Sequence, residues 1–444
     1  MNNDYINVIG AGLAGCEAAY QAANRGVEVR LYEMKPKKFT PAHHSNNFAE
    51  LVCSNSLRSD DLSNAIGVLK AELRAMNSLV MEAADNTKVP AGSALAVDRE
   101  LFSEYITKKV KNHPNITVIE KEITTINADE ITIIATGPLT SDVFADYIQN
   151  ELKLDGLHFY DAAAPIVDFE TIDMNKAFFA SRYNKGDADY INCPMNEKQY
   201  RLFYNELINA QEAELHEFDK NGQKLTVFEG CMPVEVMAKR GFETLLYGPL
   251  KPVGIENPVS KETYYAVVQL RKENEQGTMY NLVGFQTHLT FSEQKRVFSM
   301  IPGLENASFL RYGVMHRNTY LNSPNYLTEF YSLRDNRNIY FAGQITGVEG
   351  YIESVSSGFV AGINASRRLR QLAEIDFTSE TIIGALAHYV NDGAYSGNFQ
   401  PMNANFGIVS PLKHKVKGGK KIRNQELANR SLEKIDLLKG EILR

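Results

Sequence analysis

The sequence predicts an α/β fold in which a βαβ unit opens a parallel sheet. Residues 6–9 form an apolar, strand-like run that leads into Gly-Ala-Gly-Leu-Ala-Gly at residues 10–15. A helix-like stretch then continues to about Asn24, Gly26 ends it, and residues 27–32 are typical of a second strand that ends on Glu33. A glycine-rich turn that follows a strand, opens a helix and is succeeded by a second strand is the pattern of a parallel βαβ unit.

The glycine-rich turn is predicted to bind the pyrophosphate of a dinucleotide. Gly10 permits the tight turn, Gly12 lets a phosphate approach the backbone, and Gly15 lets the helix pack closely on the strand. The helix N-terminus would face the phosphates. Glu33 stands 21 residues after Gly12, where a carboxylate that binds a ribose hydroxyl belongs. The turn residues predicted to contact the cofactor are Gly10, Ala11, Gly12, Leu13, Ala14 and Gly15.

Two later strand-to-glycine steps predict that the dinucleotide is FAD. The run at residues 131–137 resembles the Ala-Thr-Gly turn of flavoproteins with two dinucleotide folds. The run at residues 339–351, followed by a helix-like stretch, resembles the C-terminal segment of the same superfamily, where a helix N-terminus points at the isoalloxazine ring. The further residues predicted to contact FAD are Thr136, Gly137, Gly343, Gln344, Gly350 and Tyr351.

We therefore expect an α/β fold class, with an FAD-binding Rossmann-like domain of the two-dinucleotide-fold flavoprotein type and an inserted α+β domain. Residues 1–160 would form the first part of the FAD domain and residues 161–325 the inserted substrate or RNA domain. Residues 326–444 would form the second part, with a basic C-terminal segment. A second G-x-G-x-x-G does not occur in the sequence, so a separate NAD(P)H domain is not expected.

Composition is that of an ordinary globular chain. The 444 residues are 44% hydrophobic and 23% charged, a length that suggests two or three domains. The chain lacks an apolar run long enough for a membrane span, and its first residues lack the basic region of a signal peptide. The four cysteines are too scattered for a disulfide framework or a zinc site. We expect a cytoplasmic protein with no metal and no membrane partner.

Basic residues are locally concentrated although the net charge is −7. Residues 413–423 contain six Lys or Arg and no acid. This segment is either a solvated tail or a segment that contacts phosphates. The candidates for phosphate contact are Lys239, Arg240, Lys420 and Lys421.

Two cysteines lie in segments that suggest chemistry. Cys53 is in FAELVCSNSLR at residues 48–58, and Cys231 is in FEGCMP at residues 228–233. Polar, small and thiol groups are crowded in the first segment without apolar periodicity. A buried, inert cysteine is the alternative in each case. Cys16 and Cys193 are expected to be structural.

These motifs resemble, end to end, the bacterial folate- and FAD-dependent tRNA (uracil-5-)-methyltransferases. The two cysteine segments are the most specific part of the resemblance. Ser93, Ile345 and the pair Val355-Ser356 depart from the residues usual in the family. Other matching stretches are TPAHH at 40–44, FYDAAAPIV at 159–167, YAVVQLR at 265–271, RYGVMHRN at 311–318 and FQPMNANFG at 399–407.

The resemblance implies that 5,10-methylenetetrahydrofolate donates a carbon and that FAD, reduced by NADPH or NADH, donates hydride. The product would be 5-methyluridine in the T loop of tRNA, at position 54. Cys231 would be the nucleophile at uracil C6 and Cys53 the proton acceptor or activator, with the reverse assignment open. Arg58, Arg99 and Arg317 are candidates for anion contacts with folate or RNA.

Three alternative functions remain open from the sequence. The same chemistry could act on a uridine of 23S ribosomal RNA. The chain could be an FAD oxidoreductase, against which stands the absence of a Cys-x-x-Cys pair. It could also be a non-catalytic, flavin-containing RNA-binding protein, against which stands the presence of both cysteine segments. The oligomeric state is not predicted.

Overall fold

A computed structural model describes residues 4–154, 156–162, 164–184, 187–213, 232–313, 315–392, 399–414 and 416–442. For residues 156–162 and 315–319 the description concerns the backbone. Within these ranges, no helix combines the length and the apolar character needed to cross a membrane.

The N-terminal part alternates strands and helices, as the βαβ prediction requires. In chain order its elements are β1 (Tyr5–Ile9), α1 (Leu13–Ala23), β2 (Glu28–Glu33), β3 (Ser56–Ser59), α2 (Ala65–Ala75), α3 (Leu79–Asn86), β4 (Lys88–Val89), β5 (Ala94–Val97), α4 (Arg99–Lys111), β6 (Ile116–Glu120), β7 (Thr132–Ile134) and α5 (Asp142–Asn150).

The middle part is rich in strands. Its elements are β8 (Gly156–Ala162), β9 (Ile166–Asp168), β10 (Phe178–Ala180), β11 (Tyr190–Met195), α6 (Glu197–Ile208), α7 (Val234–Lys239), α8 (Thr244–Tyr247), β12 (Ala266–Lys272), β13 (Met279–Leu282), α9 (Phe291–Phe298), β14 (Phe309–Arg311), β15 (Met315–Leu321) and α10 (Ser323–Tyr326). The described elements of the C-terminal part are β16 (Ile339–Phe341), α11 (Tyr351–Leu369), α12 (Ile382–Asn391) and α13 (Gly419–Ile442).

The central sheet of the described residues is parallel and five-stranded, in the order β16-β7-β1-β2-β6. Strand β1 is almost wholly buried, which explains its apolar composition, because helices cover both faces of a parallel sheet. Strand β16 joins the edge of β7 although about 200 residues separate the two in the chain. The predicted βαβ start and the return of a distant strand to the same sheet are confirmed.

Helices α1 and α11 pack backbone against backbone. A Cβ on Gly358 would stand 2.2 Å from the carbonyl oxygen of Ala14, and one on Gly362 would stand 2.6 Å from that of Ala18. Small residues on both helices therefore allow an approach that a larger side chain would prevent. This packing fixes the N-terminus of α11 beside the glycine-rich turn at the start of α1.

The inserted part has its own antiparallel sheet, in the order β10-β11-β12-β13-β9-β14. Two large apolar clusters occur in the described residues. One draws on residues 6–154 and 320–442, and the other on residues 164–307. Strands β8 and β15 pair with each other. In the sequence they lie near the two boundaries between the residues of the first cluster and those of the second. The domain boundaries given above stay predictions.

A buried carboxylate links three helices of the first cluster. Glu72 on α2 is fully buried and accepts the N–H groups of Ile382 and Ile383, at 2.8 and 2.9 Å, at the start of α12. It also accepts the hydroxyl of Ser431 on α13. Burial raises the pKa of Glu72 from 4.5 to about 7.

This raised pKa predicts a stability that falls as the pH rises. Between pH 4.5 and about 7 the native state holds a proton on Glu72 that the unfolded state releases. The free energy of unfolding is therefore highest below that window and loses up to about 3 kcal/mol across it. We expect Glu72→Gln to be less stable than wild type and to lack this component of the pH dependence. Urea unfolding of both proteins at pH 5 and 7.5 tests this, and equal pH dependence in the two would contradict it.

Candidate active site

A cavity of about 430 Å³ lies at the carboxyl ends of β1, β2 and β7. This edge of a parallel sheet is where ligands of α/β proteins bind. Gly15 lies behind the lining, packed against Gly10. The lining contains the other residues predicted to contact FAD: Gly10, Ala11, Gly12, Leu13, Ala14, Glu33, Thr136, Gly137, Gly343, Gln344, Gly350 and Tyr351.

The three glycines of the turn have the geometry that a phosphate site needs. Gly10 has a φ of +98°, and a Cβ there would stand 2.6 Å from the carbonyl oxygen of Ala135. A Cβ on Gly15 would stand 1.8 Å from the carbonyl oxygen of Gly10. Nothing lies within 4 Å of the position that a Cβ on Gly12 would take, so this space is open to a phosphate.

Glu33 connects the second strand to the glycine-rich turn. Its buried carboxylate accepts the N–H of Ala11 at 2.9 Å and the N–H of Lys35 at 2.9 Å. Each carboxylate oxygen has a second lone pair, so Glu33 can still accept a ribose hydroxyl from the cavity side.

The N-terminus of α11 also faces the cavity. Gly350, which precedes the helix, has a φ of +117°, and a Cβ there would collide with Glu353 and Arg58. Arg58 and the buried Glu353 form an ion pair, and Glu353 also accepts the N–H of Ala404 at 2.8 Å. The first-turn N–H groups of this long helix give the cavity wall a partial positive charge.

Tyr351 ties this helix to the segment that contains Cys53. Its hydroxyl oxygen accepts the N–H of Cys53 at 2.7 Å and the N–H of Ser54 at 3.2 Å. Burial raises the pKa of Tyr351 well above its ordinary value, so the hydroxyl stays neutral. The sequence analysis predicted Tyr351 as an FAD contact, and the structure adds this hydrogen-bonding role.

These features fit FAD. An open glycine turn, a buried carboxylate on the second strand and a helix N-terminus line one cavity. The first two suit the adenosine and pyrophosphate groups, and the third suits the flavin ring, whose pyrimidine side is electron-rich when reduced.

The glycine contacts predict two variants with different phenotypes. We expect Gly12→Ala to fold normally, because Gly12 has a φ of −74° and open space around it, but to bind FAD at least about tenfold more weakly because the methyl group takes the phosphate space. We expect Gly358→Ala to destabilise the apoprotein by about 1–3 kcal/mol through its contact with α1. Flavin absorbance and the melting temperature of both apoproteins check this. Normal FAD affinity in Gly12→Ala would contradict the placement of the phosphate.

Three arginines hold the segment around Cys53. They are Arg99 on α4, Arg271 on β12 and Arg311 on β14. Sequence reasoning proposed Arg99 as an anion contact and missed the other two. Arg271 and Arg311 are both inside the family stretches quoted above, but the strand pattern there does not show what their side chains reach.

The other predicted RNA and substrate residues are scattered. Lys239 is exposed and paired with Glu212, and Arg240 beside it is exposed. Lys420 and Lys421 are exposed in the first turn of α13. Arg58 lines the cavity but is paired with Glu353, and Arg99 is paired with Glu273, so the described contacts give both a structural role. All these RNA and substrate assignments stay predictions.

Two predicted residues lie beyond what the structure describes. Cys231 is outside the described residues, and so is the side chain of Arg317, whose backbone pairs with Tyr160. The chain is described again from Met232 onward. Val234, three residues after Cys231, donates its N–H to the carbonyl oxygen of Gln286 at 2.7 Å, and Gln286 lines the cavity.

The fold is that of a known class of α/β protein. The GidA protein of Aquifex aeolicus, in its form II crystal, matches with a TM-score of 0.68 at 16% identity over 100% of this chain and 74% of that chain. Its form I crystal matches with a TM-score of 0.66 at 17% identity, over 98% and 78%. A likeness at this identity shows the fold, and it confirms the predicted α/β, Rossmann-like fold class.

Sequence comparisons narrow this class to one family. The profile of the family described as glucose inhibited division protein A matches residues 5–373. A methylenetetrahydrofolate–tRNA-(uracil-5-)-methyltransferase TrmFO of Acetivibrio thermocellus is 59% identical over 97% of this chain and 97% of that protein. A protein of the same name from Streptococcus pneumoniae is 56% identical over 98% and 99%. The chain belongs to the TrmFO family of methylenetetrahydrofolate–tRNA-(uracil-5-)-methyltransferases, as the resemblance predicted.

Proposed function

We propose that the protein forms 5-methyluridine in the T loop of tRNA, with 5,10-methylenetetrahydrofolate as carbon donor, FAD as cofactor and NADPH or NADH as reductant. One observation carries the proposal. The Cys53 segment, the glycine-rich turn and the N-terminus of α11 line the same cavity. A thiol thus lies beside the site that fits a flavin, as the proposed flavin-dependent methylation requires. The family membership supports the same reaction.

The chemistry explains why a flavin site and thiols belong together. A methylene unit is two electrons more oxidised than a methyl group, so the carbon of the folate must receive a hydride, which bound FAD supplies after reduction. Uracil C5 is a weak nucleophile. Addition of a thiolate at C6 converts C5 into an enolate carbon that attacks the methylene. Loss of the C5 proton and of tetrahydrofolate then leaves an exocyclic methylene at C5, and addition of the hydride to that carbon restores the C5–C6 double bond as the thiolate departs from C6.

We assign the thiolate nucleophile to Cys231 and the removal of the C5 proton to Cys53. The described contacts support a chemical role for Cys53, because Tyr351 and the arginines fix its backbone at the cavity wall. For Cys231 the support is the family motif and the link from Val234 to the cavity residue Gln286. The opposite assignment uses the same two groups.

RNA would reach this cavity with the target base out of its stack, because C5 and C6 of a stacked uridine are not accessible to a thiol. Exposed Lys420 and Lys421 on α13 and exposed Arg240 after α7 are our candidates for phosphate contacts. A cytoplasmic location accords with a tRNA substrate.

The test is direct product analysis. Purified protein, methylenetetrahydrofolate and NADPH or NADH are incubated with a T-loop tRNA, with the same tRNA carrying cytidine at the target position, or with a 23S ribosomal RNA fragment. 5-Methyluridine is then quantified by mass spectrometry. We expect product with the first tRNA alone.

Other outcomes are equally informative. Product with the ribosomal fragment alone would reject tRNA as the substrate. Bound FAD without product from any RNA would reject the methyltransferase proposal, and turnover of a disulfide substrate in that case would favour an oxidoreductase.

A further inference from the structure

The segment that carries Cys53 is held by arginines on both sides of the cysteine. Before it, Arg99 Nη1 donates to the carbonyl oxygen of Leu51 at 2.6 Å, and Arg311 Nη2 donates to that of Val52 at 2.7 Å. After it, Arg271 Nη2 donates to Ser54 Oγ at 2.6 Å.

These arginines come from both parts of the fold. Arg99 begins α4 beside the parallel sheet, whereas Arg271 and Arg311 stand on strands of the antiparallel sheet. The two sheets belong to separate apolar clusters, and the contacts around Cys53 between them are polar. For example, Asn55 Nδ2 donates to the carbonyl oxygen of Lys272 at 2.8 Å, and Arg271 Nε donates to Asn55 Oδ1 at 3.0 Å.

The charges around Cys53 are predominantly positive in the described residues. Glu273 is a buried carboxylate there, and it is paired with Arg99. Glu273 also attracts Arg271 and Arg311, so three guanidinium groups share one carboxylate and the neutral Tyr351 adds no charge. Arg58 and Glu353 on the far side of Tyr351 balance each other. The ionisable groups around this segment are Arg58, Arg99, Arg271, Glu273, Arg311, Tyr351 and Glu353, with Tyr190 beside Arg271.

We propose that Arg271 and Arg311 are positioning residues that fix the Cys53 segment and stabilise its thiolate, so that the inserted domain activates a thiol carried by the flavin domain. A nearby guanidinium favours the charged form of a thiol. The use of this thiol in methyl transfer rests on the proposed function, whereas its reactivity does not. As either nucleophile or proton acceptor, Cys53 must be a thiolate to act.

The position of the arginines also means that the interface between the two parts of the fold takes part in stabilising the Cys53 thiolate. Because the supporting charges come from the antiparallel sheet, the thiolate is stabilised when that sheet is docked on the flavin domain. Arg271 is 7% exposed, and burial lowers the pKa of both Arg271 and Arg311, as expected for cations enclosed at an interface.

The test is the pH dependence of Cys53 alkylation. FAD-loaded, full-length protein is reduced, treated with iodoacetamide across pH 5–9, and analysed by mass spectrometry at the level of single cysteine peptides. The variants are Arg311→Gln, which removes the charge, and Arg311→Lys, which keeps it. Arg296→Met is the matched control, since Arg296 is a surface residue of the same domain paired with Glu293 and Glu206. Cys193 is an internal reference, because burial raises its pKa to about 12.

We expect the wild-type midpoint of the Cys53 alkylation rate to lie below the value of about 8.5 of an ordinary cysteine. Arg311→Gln should raise it by about one pH unit, which slows alkylation at neutral pH up to about tenfold. Arg311→Lys should restore most of the rate, and Arg296→Met should leave it unchanged.

Three results would overturn the inference. The first is a wild-type midpoint at or above about 8.5, which needs no variant to fold. The second is an unchanged midpoint in Arg311→Gln, and the third is an equal shift of the midpoint in Arg296→Met. A protein with an activated Cys53 that fails to methylate any RNA would instead reject the proposed function and leave this inference standing.

Discussion

Cys53→Ala and Cys231→Ala are each expected to reduce 5-methyluridine formation by on the order of 10³-fold or more, with FAD still bound. Each substitution removes a group that the proposed chemistry needs. One cysteine adds to C6 and so makes C5 nucleophilic, and the other takes the C5 proton. Neither residue is among those predicted to hold FAD. Methylation of T-loop tRNA and the visible flavin spectrum measure the two effects separately.

The roles of the two cysteines are separated by a trapped adduct. A tRNA with 5-fluorouridine at the target position cannot lose a proton from C5, so the nucleophile stays bonded to C6 after C5 has attacked the methylene. If Cys231 is the nucleophile, Cys53→Ala retains the ability to add at C6, whereas Cys231→Ala forms no adduct. The opposite pattern would assign the nucleophile to Cys53. Adduct formation in both variants would contradict a cysteine nucleophile.

Cys193→Ala is the matched control for these two variants. Cys193 is fully buried on β11 within the apolar cluster of the antiparallel sheet and does not line the cavity. We expect this variant to keep its methylation rate within about twofold, with a modest loss of stability from the small cavity it creates. A loss of activity as large as that of Cys53→Ala would show that the assay reports folding rather than chemistry.

The local features of the fold could be predicted because each depends on a few consecutive residues. Strand β1, the glycine turn and helix α1 follow one another directly, and the spacing of their residues shows the period of each element. The C-terminal strand β16 could also be placed, since its strand-to-glycine step repeats the pattern of β7. Thus most of the predicted FAD contacts line one cavity although they come from distant parts of the chain.

The support of Cys53 could not be predicted in the same way. Tyr351 and Cys53 are 298 residues apart, and the hydrogen bond between them depends on how α11 packs on α1. Arg271 and Arg311 stand on strands of another sheet, and in the sequence each resembles any half-exposed strand residue. The contacts of these two side chains depend on how the two apolar clusters pack against each other. Local sequence patterns contain no information on that packing.

The ion pair between Arg99 and Glu273 is expected to be the contact between the two parts of the fold whose loss lowers the free energy of unfolding most. Arg99 Nε and Nη2 contact the two carboxylate oxygens of Glu273 at 2.5 and 3.3 Å, and the Glu273 side chain is 1% exposed. Removing one partner leaves a charge buried without compensation, which typically costs about 3–5 kcal/mol. We therefore expect Arg99→Met to lower the free energy of unfolding by about that amount, and to lower the methylation rate because Leu51 also loses its donor.

A double-mutant cycle distinguishes this from a simple loss of contacts. Arg99→Met combined with Glu273→Met removes both charges and fills the space with apolar atoms, so the double variant should be more stable than either single variant. Urea unfolding of the four proteins, followed by both circular dichroism and flavin release, gives the coupling energy. Additive losses would mean that the pair is not held in a water-excluded interface. A stable double variant that methylates slowly would show that Arg99 serves the position of the Cys53 segment as well as the stability of the interface.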